Sequence, residues 1–465
     1  MKHSFDDTII ALSTPPGESA IAVIRLSGEN SIELVDKHFP AKDLTLVKSH
    51  TLHFGTLQSL ENELLDEVVI SIFKAPNSYT GENTVEISTH GSPYIVSKVL
   101  KNLISSGARQ ADRGEFTLRA YLNGKMDLSQ AEAVADIIAS DSDESHRMAM
   151  QQMRGGISKR IQTLRQELID FAALLELELD FSEEDVEFAD RTRLKALLNT
   201  IFREIESLKA SFDLGNVMKN GVATVIAGRP NAGKSTLLNA LLQDRRAIVS
   251  DIAGTTRDSI EEVLNINGLK YRLIDTAGIR MAEDTIEAEG VERTLLHVQN
   301  AKILLYLFDI MHSSPEEVET DIQELISKNH LNPETKILLV ANKSDLSQNI
   351  DLDDFREKMG DAEILSISAL NNDDVEDLKS KLYDSIISGK VTEDKSMINN
   401  IRHYEALQKA NESLQIALDA MNAGTSTDLI ALDIRKVLFH LGLITGEVSS
   451  EDLLDSIFTR FCIGK

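Results

Sequence analysis

Eight residues carry the plainest chemistry in the chain. Gly228-Arg229-Pro230-Asn231-Ala232-Gly233-Lys234-Ser235 has the spacing G-x-x-x-x-G-K-[ST]. Glycines are needed there because backbone N–H groups must close on phosphate oxygens. In such a loop Lys234 reaches the β- and γ-phosphates and Ser235 ligates Mg²⁺. Asn231, Ala232, Gly233 and Thr236 complete the cradle. The apolar run Val222–Ala227 ahead of the loop reads as a buried strand, and Ser235–Leu242 behind it reads as a helix.

Further segments follow in the order a GTPase requires. Asp275-Thr276-Ala277-Gly278 ends an apolar strand, setting a carboxylate near the magnesium and a glycine N–H near the γ-phosphate. Asn342-Lys343-Ser344-Asp345 ends another and resembles the N-K-x-D motif, which assigns Asp345 to two guanine N–H donors. Adenine cannot supply that pair. Ser368-Ala369-Leu370 ends a last strand, where the matching motif uses a backbone N–H on guanine O6. Ser250-Asp251-Ile252-Ala253-Gly254-Thr255-Thr256-Arg257-Asp258 lies where a switch loop belongs, with Thr256 as the second Mg²⁺ ligand. Ras-like switches carry a water-orienting glutamine just after D-T-A-G, whereas this chain has Ile279, so another group must do that work.

The elements that position these motifs divide the 465 residues into three textures. Residues 1–117 mix strand-like runs (Ala20–Leu26, Glu67–Phe73, Thr84–Ser88) with turn signals and read as a small α+β domain. Residues 118–220 and 390–465 are helical: Ile157, Ile161, Leu164, Leu168, Phe171 and Leu175 share one face. So do Leu407, Ala410, Leu414, Ala417 and Met421, and likewise Ile430, Ile434, Val437 and Leu441. The acidic stretch from Glu176 to Asp190 reads as a solvated helix end and loop. Residues 221–389 alternate strand and helix, with Ile303–Phe308 and Ile337–Ala341 as buried strands and Asn267-Gly268 turning a hairpin. The expected fold is therefore an α/β domain inserted into a discontinuous helical domain.

Composition narrows the function. Lys and Arg total 48 against 75 Asp and Glu, a net charge of −27, so the chain is a poor candidate to coat nucleic acid alone. Any nucleic-acid role would need a local basic patch or a basic partner. One cysteine, Cys462, excludes an internal disulfide and a cysteine-built metal site. No run reaches membrane-spanning length, and a soluble, cytoplasmic protein is expected.

Taken in order, GRPNAGKS, DIAGTTRD, DTAGIR, NKSD and the terminal FTRFCIGK are similar to the tRNA-modification GTPase MnmE (TrmE) family. The N-terminal TPPGESAIAVIRLSG, SYTGENTVEISTHG and RAYLNGKMDLSQAEA segments extend the likeness over essentially the whole chain. The resemblance implies a folate-binding-like N-terminal domain, a discontinuous helical domain and an inserted Ras-like P-loop GTPase domain. It also implies a homodimer whose G domains pair in a K⁺-dependent way. The K⁺ ligands would be Asn231, Ser250, Ile252 and Thr255; Ser250 through Thr256 would line GTP; and Glu287 would orient water beside the catalytic Lys234. The residues alone leave Glu283 and Glu289 as open as Glu287. Reduced folate (5-formyl- or 5,10-methylene-tetrahydrofolate) would be held by Arg25, Glu86, Lys125 and Lys465. The implied partner is an MnmG (GidA)-type flavoprotein, and the implied substrate is the wobble uridine of certain tRNAs, with no membrane involved.

Two side readings complete the survey. Cys462 has no adjacent base and is expected to be a small buried hydrophobe. His50, His53 and His90 suggest a metal, but no carboxylate pattern in the sequence completes a site. Rival readings as an RNA-binding assembly GTPase or a membrane-scaffold GTPase lack the basic module or apolar anchor each would need.

Overall fold

The computed structural model describes residues 7–180, 191–242, 261–275, 299, 301–329, 331–332, 335–346, 352–360, 362–387 and 397–465. Two compact units are present. Met1–Ala139, Ala149–Lys209 and Ile401–Lys465 make one, and Ser140–Met148 with Ala210–Asn400 make the other.

The first unit opens with a six-stranded sheet of β1 (Ile9–Leu12), β2 (Ser19–Ser27), β3 (Thr51–Gln58), β4 (Leu64–Phe73), β5 (Thr84–Gly91) and β6 (Arg109–Gln110). Their spatial order is β3-β4-β5-β2-β1-β6, antiparallel throughout except for the β1–β6 pair. Side chains alternate across such a sheet. One face presents Ile24, Leu26, Ile70, Ile72, Val85 and Ile87 to helices α1 (Ser31–Asp36) and α2 (Pro93–Ser105), whose Val35, Val99 and Leu103 close the core. The opposite face carries Arg25 of β2 directly beside Glu86 of β5.

Next in the chain come α3 (Glu115–Leu122), α4 (Leu128–Ala139), α5 (Asp143–Met153), α6 (Gly156–Asp180) and α7 (Arg191–Ala210). The three apolar faces read from the sequence are real. Ile157, Ile161, Leu164 and Leu168 are buried on α6, and their partners are buried on the two long helices that follow the second unit. Arg119 of α3 is only 1% exposed, and it pairs with Asp7 at 2.5 Å, Glu115 at 3.0 Å and Glu82 at 3.2 Å. A guanidinium so deeply buried is tolerable only with that many carboxylates around it.

The second unit holds α8 (Phe212–Asn220), β7 (Val222–Gly228), α9 (Lys234–Leu242), β8 (Glu261–Ile266), β9 (Leu269–Asp275), β10 (Ile303–Asp309), α10 (Pro315–Asn329), β11 (Lys336–Asn342), α11 (Asp353–Met359), β12 (Glu363–Ser366) and α12 (Asn372–Ile387). The sheet order is β12-β11-β10-β7-β9-β8, parallel except for the β8–β9 hairpin. A parallel sheet covered on both faces needs strands that are apolar on both faces, and β7 and β10 are buried along nearly their whole length. At the hairpin, Asn267 (φ 50°) and Gly268 (φ 85°) both take the left-handed conformation that a tight two-residue turn demands. Met148, Leu214, Val217 and Met218 also join this core, so the first turns of α5 and all of α8 pack with the parallel sheet.

The chain then re-enters the first unit through α13 (Ile401–Asn422), α14 (Thr427–Thr445) and α15 (Glu451–Phe458). At the re-entry point Arg402 grips Glu132 of α4 through two bonds of 2.9 Å, and the fully buried His403 meets the same carboxylate at 2.9 Å. Burial pushes the Glu132 carboxyl up, but His403 and Arg402 outweigh it and hold it at about 2. No described helix is long and apolar enough to cross a membrane.

Candidate functional site

The glycine loop leaves β7 at its carboxyl end and feeds directly into α9, so its amides sit at a helix N-terminus, where an anion is favoured. Two positions admit nothing but glycine. A Cβ on Gly228 (φ 148°) would lie 2.1 Å from the Leu307 carbonyl oxygen, and one on Gly233 (φ 97°) would lie 2.2 Å from Asn342 Nδ2. Asn231 itself takes the left-handed region, φ 64°. The Lys234 ammonium arches over the loop and donates to the carbonyls of Gly228 at 2.7 Å and Arg229 at 3.0 Å. Arg229 is anchored outward by Asp321 and Glu317 of α10, each at 2.7 Å.

Asn342 ties this loop to the rest of the site. It ends β11, is 2% exposed, donates Nδ2 to the Ala232 carbonyl at 2.8 Å, and accepts the Ala369 N–H at 3.0 Å. One buried carboxamide thus joins the phosphate loop to Ser368-Ala369-Leu370. Beside it Lys343 (φ 70°) donates to Asp309 at 2.8 Å. Burial pushes the Asp309 carboxyl up, yet the Lys343 bond and neighbouring donors leave it below its ordinary value. Asp345 lies on a short 3₁₀ turn, Ser344–Leu346, and lines an open cleft of ≈ 440 Å³ with Ser344, Ser368, Leu370, Asn371 and Asp374. Asp374 accepts the Ser368 N–H at 2.6 Å and so holds that segment in place.

Asn231, Ala232, Gly233, Lys234, Ser235, Thr236, Asn342, Lys343, Asp345, Ser368, Ala369 and Leu370 therefore come from the carboxyl ends of β7, β11 and β12, with β10 between β7 and β11, and from the loops after them. Asp275 ends β9, the next strand over. Ser250 through Thr256, Thr276, Ala277, Gly278, Glu283, Glu287 and Glu289 lie outside the described residues, and so do residues 181–190 of the acidic stretch. Asp309 and Asp374 had no motif to announce them; the available signal was an acid at the end of a buried strand and another six residues after Ser368.

A second gathering lies on the outer face of the first sheet. Arg25 donates Nε and Nη2 to Glu86 at 2.9 and 2.7 Å, and its guanidinium stands 5.5 Å from the centre of the Tyr79 ring. Burial raises the Tyr79 phenol above its usual value, and its hydroxyl shares a 2.9 Å hydrogen bond with Thr117 Oγ1. Lys125 donates to the Pro76 carbonyl at 2.9 Å, on the loop that carries Tyr79. The chain end docks nearby: Ser13 donates to the Gly464 carbonyl at 3.2 Å, and Ile463 bridges Arg113. Leu12 pairs with Ile24, so Lys465 follows a residue fixed one strand from Arg25.

The side readings change. Cys462 is exposed, not buried; Phe461 beside it takes the core position. His90 meets the buried Asp66 at 2.7 Å rather than His50 or His53, and no cluster of metal-ligating side chains exists among the described residues.

A phosphate-loop motif between a buried strand and a helix, joined by a buried asparagine to the Ser368-Ala369-Leu370 segment, defines a P-loop GTPase. Two family models match the chain: the GTP-binding protein TrmE N-terminus over residues 8–125 and the MnmE helical domain over residues 128–462. The tRNA modification GTPase MnmE of Cytophaga hutchinsonii is 51% identical over 99% of this chain and 98% of its own length. That of Flavobacterium johnsoniae is 50% identical over 99% of both. The chain belongs to the tRNA modification GTPase MnmE family. A solved structure of Aquifex aeolicus Era covers 42% of this chain and 66% of its own at 27% identity, and its TM-score of 0.28 adds nothing to the strand order above.

Proposed function

We propose that the chain is a K⁺-activated GTPase which, with an MnmG-type flavoprotein, modifies C5 of the wobble uridine of certain tRNAs using a reduced-folate one-carbon unit. The observation that carries the GTPase half is the Asn342 bridge between the phosphate loop and the base-reading segment. With it, one ligand can be held at both ends. Lys234 and the loop amides bind the phosphates, Asp345 selects guanine, and Ser235 with Thr256 would hold Mg²⁺, whose charge offsets that of the phosphates. Asn231, Ser250, Ile252 and Thr255 would hold K⁺ at the position an arginine finger occupies elsewhere, and Glu287 would orient the attacking water. The left-handed backbone at Asn231 fits a loop shaped around a ligand.

The folate half rests on the Arg25–Glu86 pair. A cation for carboxylates and a carboxylate for a pterin N–H edge stand side by side over an aromatic ring. Residues 1–117 would form that folate-binding domain and dimerise, in a cytoplasmic protein. The first test is steady-state GTP hydrolysis in matched KCl and NaCl buffers. Strong activation by K⁺ is expected; equal rates in the two salts would overturn the ion site.

A further inference from the structure

We infer that the N-terminal half of α6 forms a binding site for the phosphodiester backbone of tRNA. An open cleft of ≈ 520 Å³ runs along that half-helix, lined by Lys159, Gln162, Thr163, Arg165 and Gln166, with Glu447 at its rim. Arg165 and Glu447 pair at 2.6 Å and cancel each other. Thr163 donates to the Lys159 carbonyl at 3.0 Å and Gln166 to Asp170 at 2.7 Å, leaving Gln166 a second N–H. The side chains of Lys159 and Gln162 are exposed and have no partner among the described residues. Ile169 completes the lining, which thus offers the Lys159 ammonium and the N–H groups of Gln162 and Gln166, a set suited to phosphate oxygens.

The charge pattern of α6 supplies the second argument. Its first eleven residues hold Lys159, Arg160 and Arg165 and no acid, whereas Glu167, Asp170, Glu176, Glu178 and Asp180 follow with no base. That order opposes the helix dipole, which favours acids at the start and bases at the end. Arg160 is paired with Glu204 at 2.5 Å and Arg165 with Glu447, which leaves Lys159, at a helix start that does not favour a cation and in a chain of net charge −27, to meet an external anion. Choosing tRNA over an acidic protein rests on the tRNA-modifying reading above.

The test uses the full-length protein and a labelled tRNA transcript, with anisotropy followed from about 50 mM salt upward. Lys159→Gln should weaken binding several-fold and lower the slope of log K against log salt by about 0.7–0.9. Lys159→Arg should restore both, and GTP hydrolysis should be unchanged in both variants. Wild-type binding matched by Lys159→Gln in affinity and slope overturns the site alone. A wild-type chain that binds no tRNA at the lowest salt overturns the site together with its premise. Reduced binding of the flavoprotein with tRNA affinity unaltered also overturns it, and makes the cleft a protein-docking surface.

Discussion

The two six-stranded sheets place their chemistry at different points along the strand. In the parallel sheet every described nucleotide residue sits at or just past a carboxyl end, where loops are free to take left-handed turns such as Asn231 and Lys343. In the antiparallel sheet Arg25 and Glu86 lie in mid-strand, opposite each other across a ladder. Parallel strands buried on both faces have no room for polar side chains along their length. An antiparallel sheet does, on the face away from α1 and α2, where Arg25 and Glu86 stand 17% and 26% exposed beside Tyr79 and Phe116. The first arrangement gathers loop backbone; the second gathers side chains alone.

The largest effect that would sharpen this contrast is expected at Asp345. Asp345→Asn should cut the preference for GTP over xanthosine triphosphate on the order of 10⁴-fold, because one guanine N–H then faces an amide N–H donor where a carboxylate oxygen had accepted it. Competition assays with the two nucleotides read this directly, and an unchanged preference would remove Asp345 from the base site. Next comes Asn342→Ala, which strands the Ala232 carbonyl and the Ala369 N–H. It should destabilise the G unit by about 1–3 kcal/mol and weaken nucleotide binding at the same time. The chain has no tryptophan, so circular dichroism in urea and anisotropy of a labelled nucleotide are the suitable probes. The smallest effect on folding is expected in the other sheet. Arg25→Ala should cost about 1 kcal/mol, the upper end for a cross-strand pair, since this one is partly buried against Tyr79 and Phe116, while abolishing retention of tetrahydrofolate. A stability loss as large as that of Asn342→Ala, with folate still bound, would break the comparison by making the pair a fold determinant.

The same contrast explains what could be read in advance. β7, β10 and β11 were legible because burial on both faces leaves unbroken apolar runs, and Asn267-Gly268 because few residue pairs tolerate two positive φ angles. The loop motifs were legible because backbone demands restrict residue type at fixed spacing. β1 and β3 went unread. β1 is four residues long, and β3 is an edge strand whose Leu52 and Phe54 stand exposed. Asp309 and Tyr79 were silent because each acts through a contact across the fold, which no local pattern encodes, and Asp374 because an acid six residues after a serine is no motif. Cys462 misled for a related reason: its type suggests burial, but its neighbour Phe461 fills the core instead. The packing of Met148 and α8 with the parallel sheet is likewise a long-range fact.

The docked chain end gives biosynthesis a direction. The bond from Ser13 to the Gly464 carbonyl joins residues 451 positions apart, and Ser13 leaves the ribosome first. At about 5–20 residues per second, roughly 20–90 s of translation separate the two. The first sheet therefore waits, through the synthesis of the helices and the parallel sheet between them, for a contact just past the end of β1. A chain cut before Ile463 keeps the phosphate loop and leaves Ser13 and Arg113 without the partners that Gly464 and Ile463 give them.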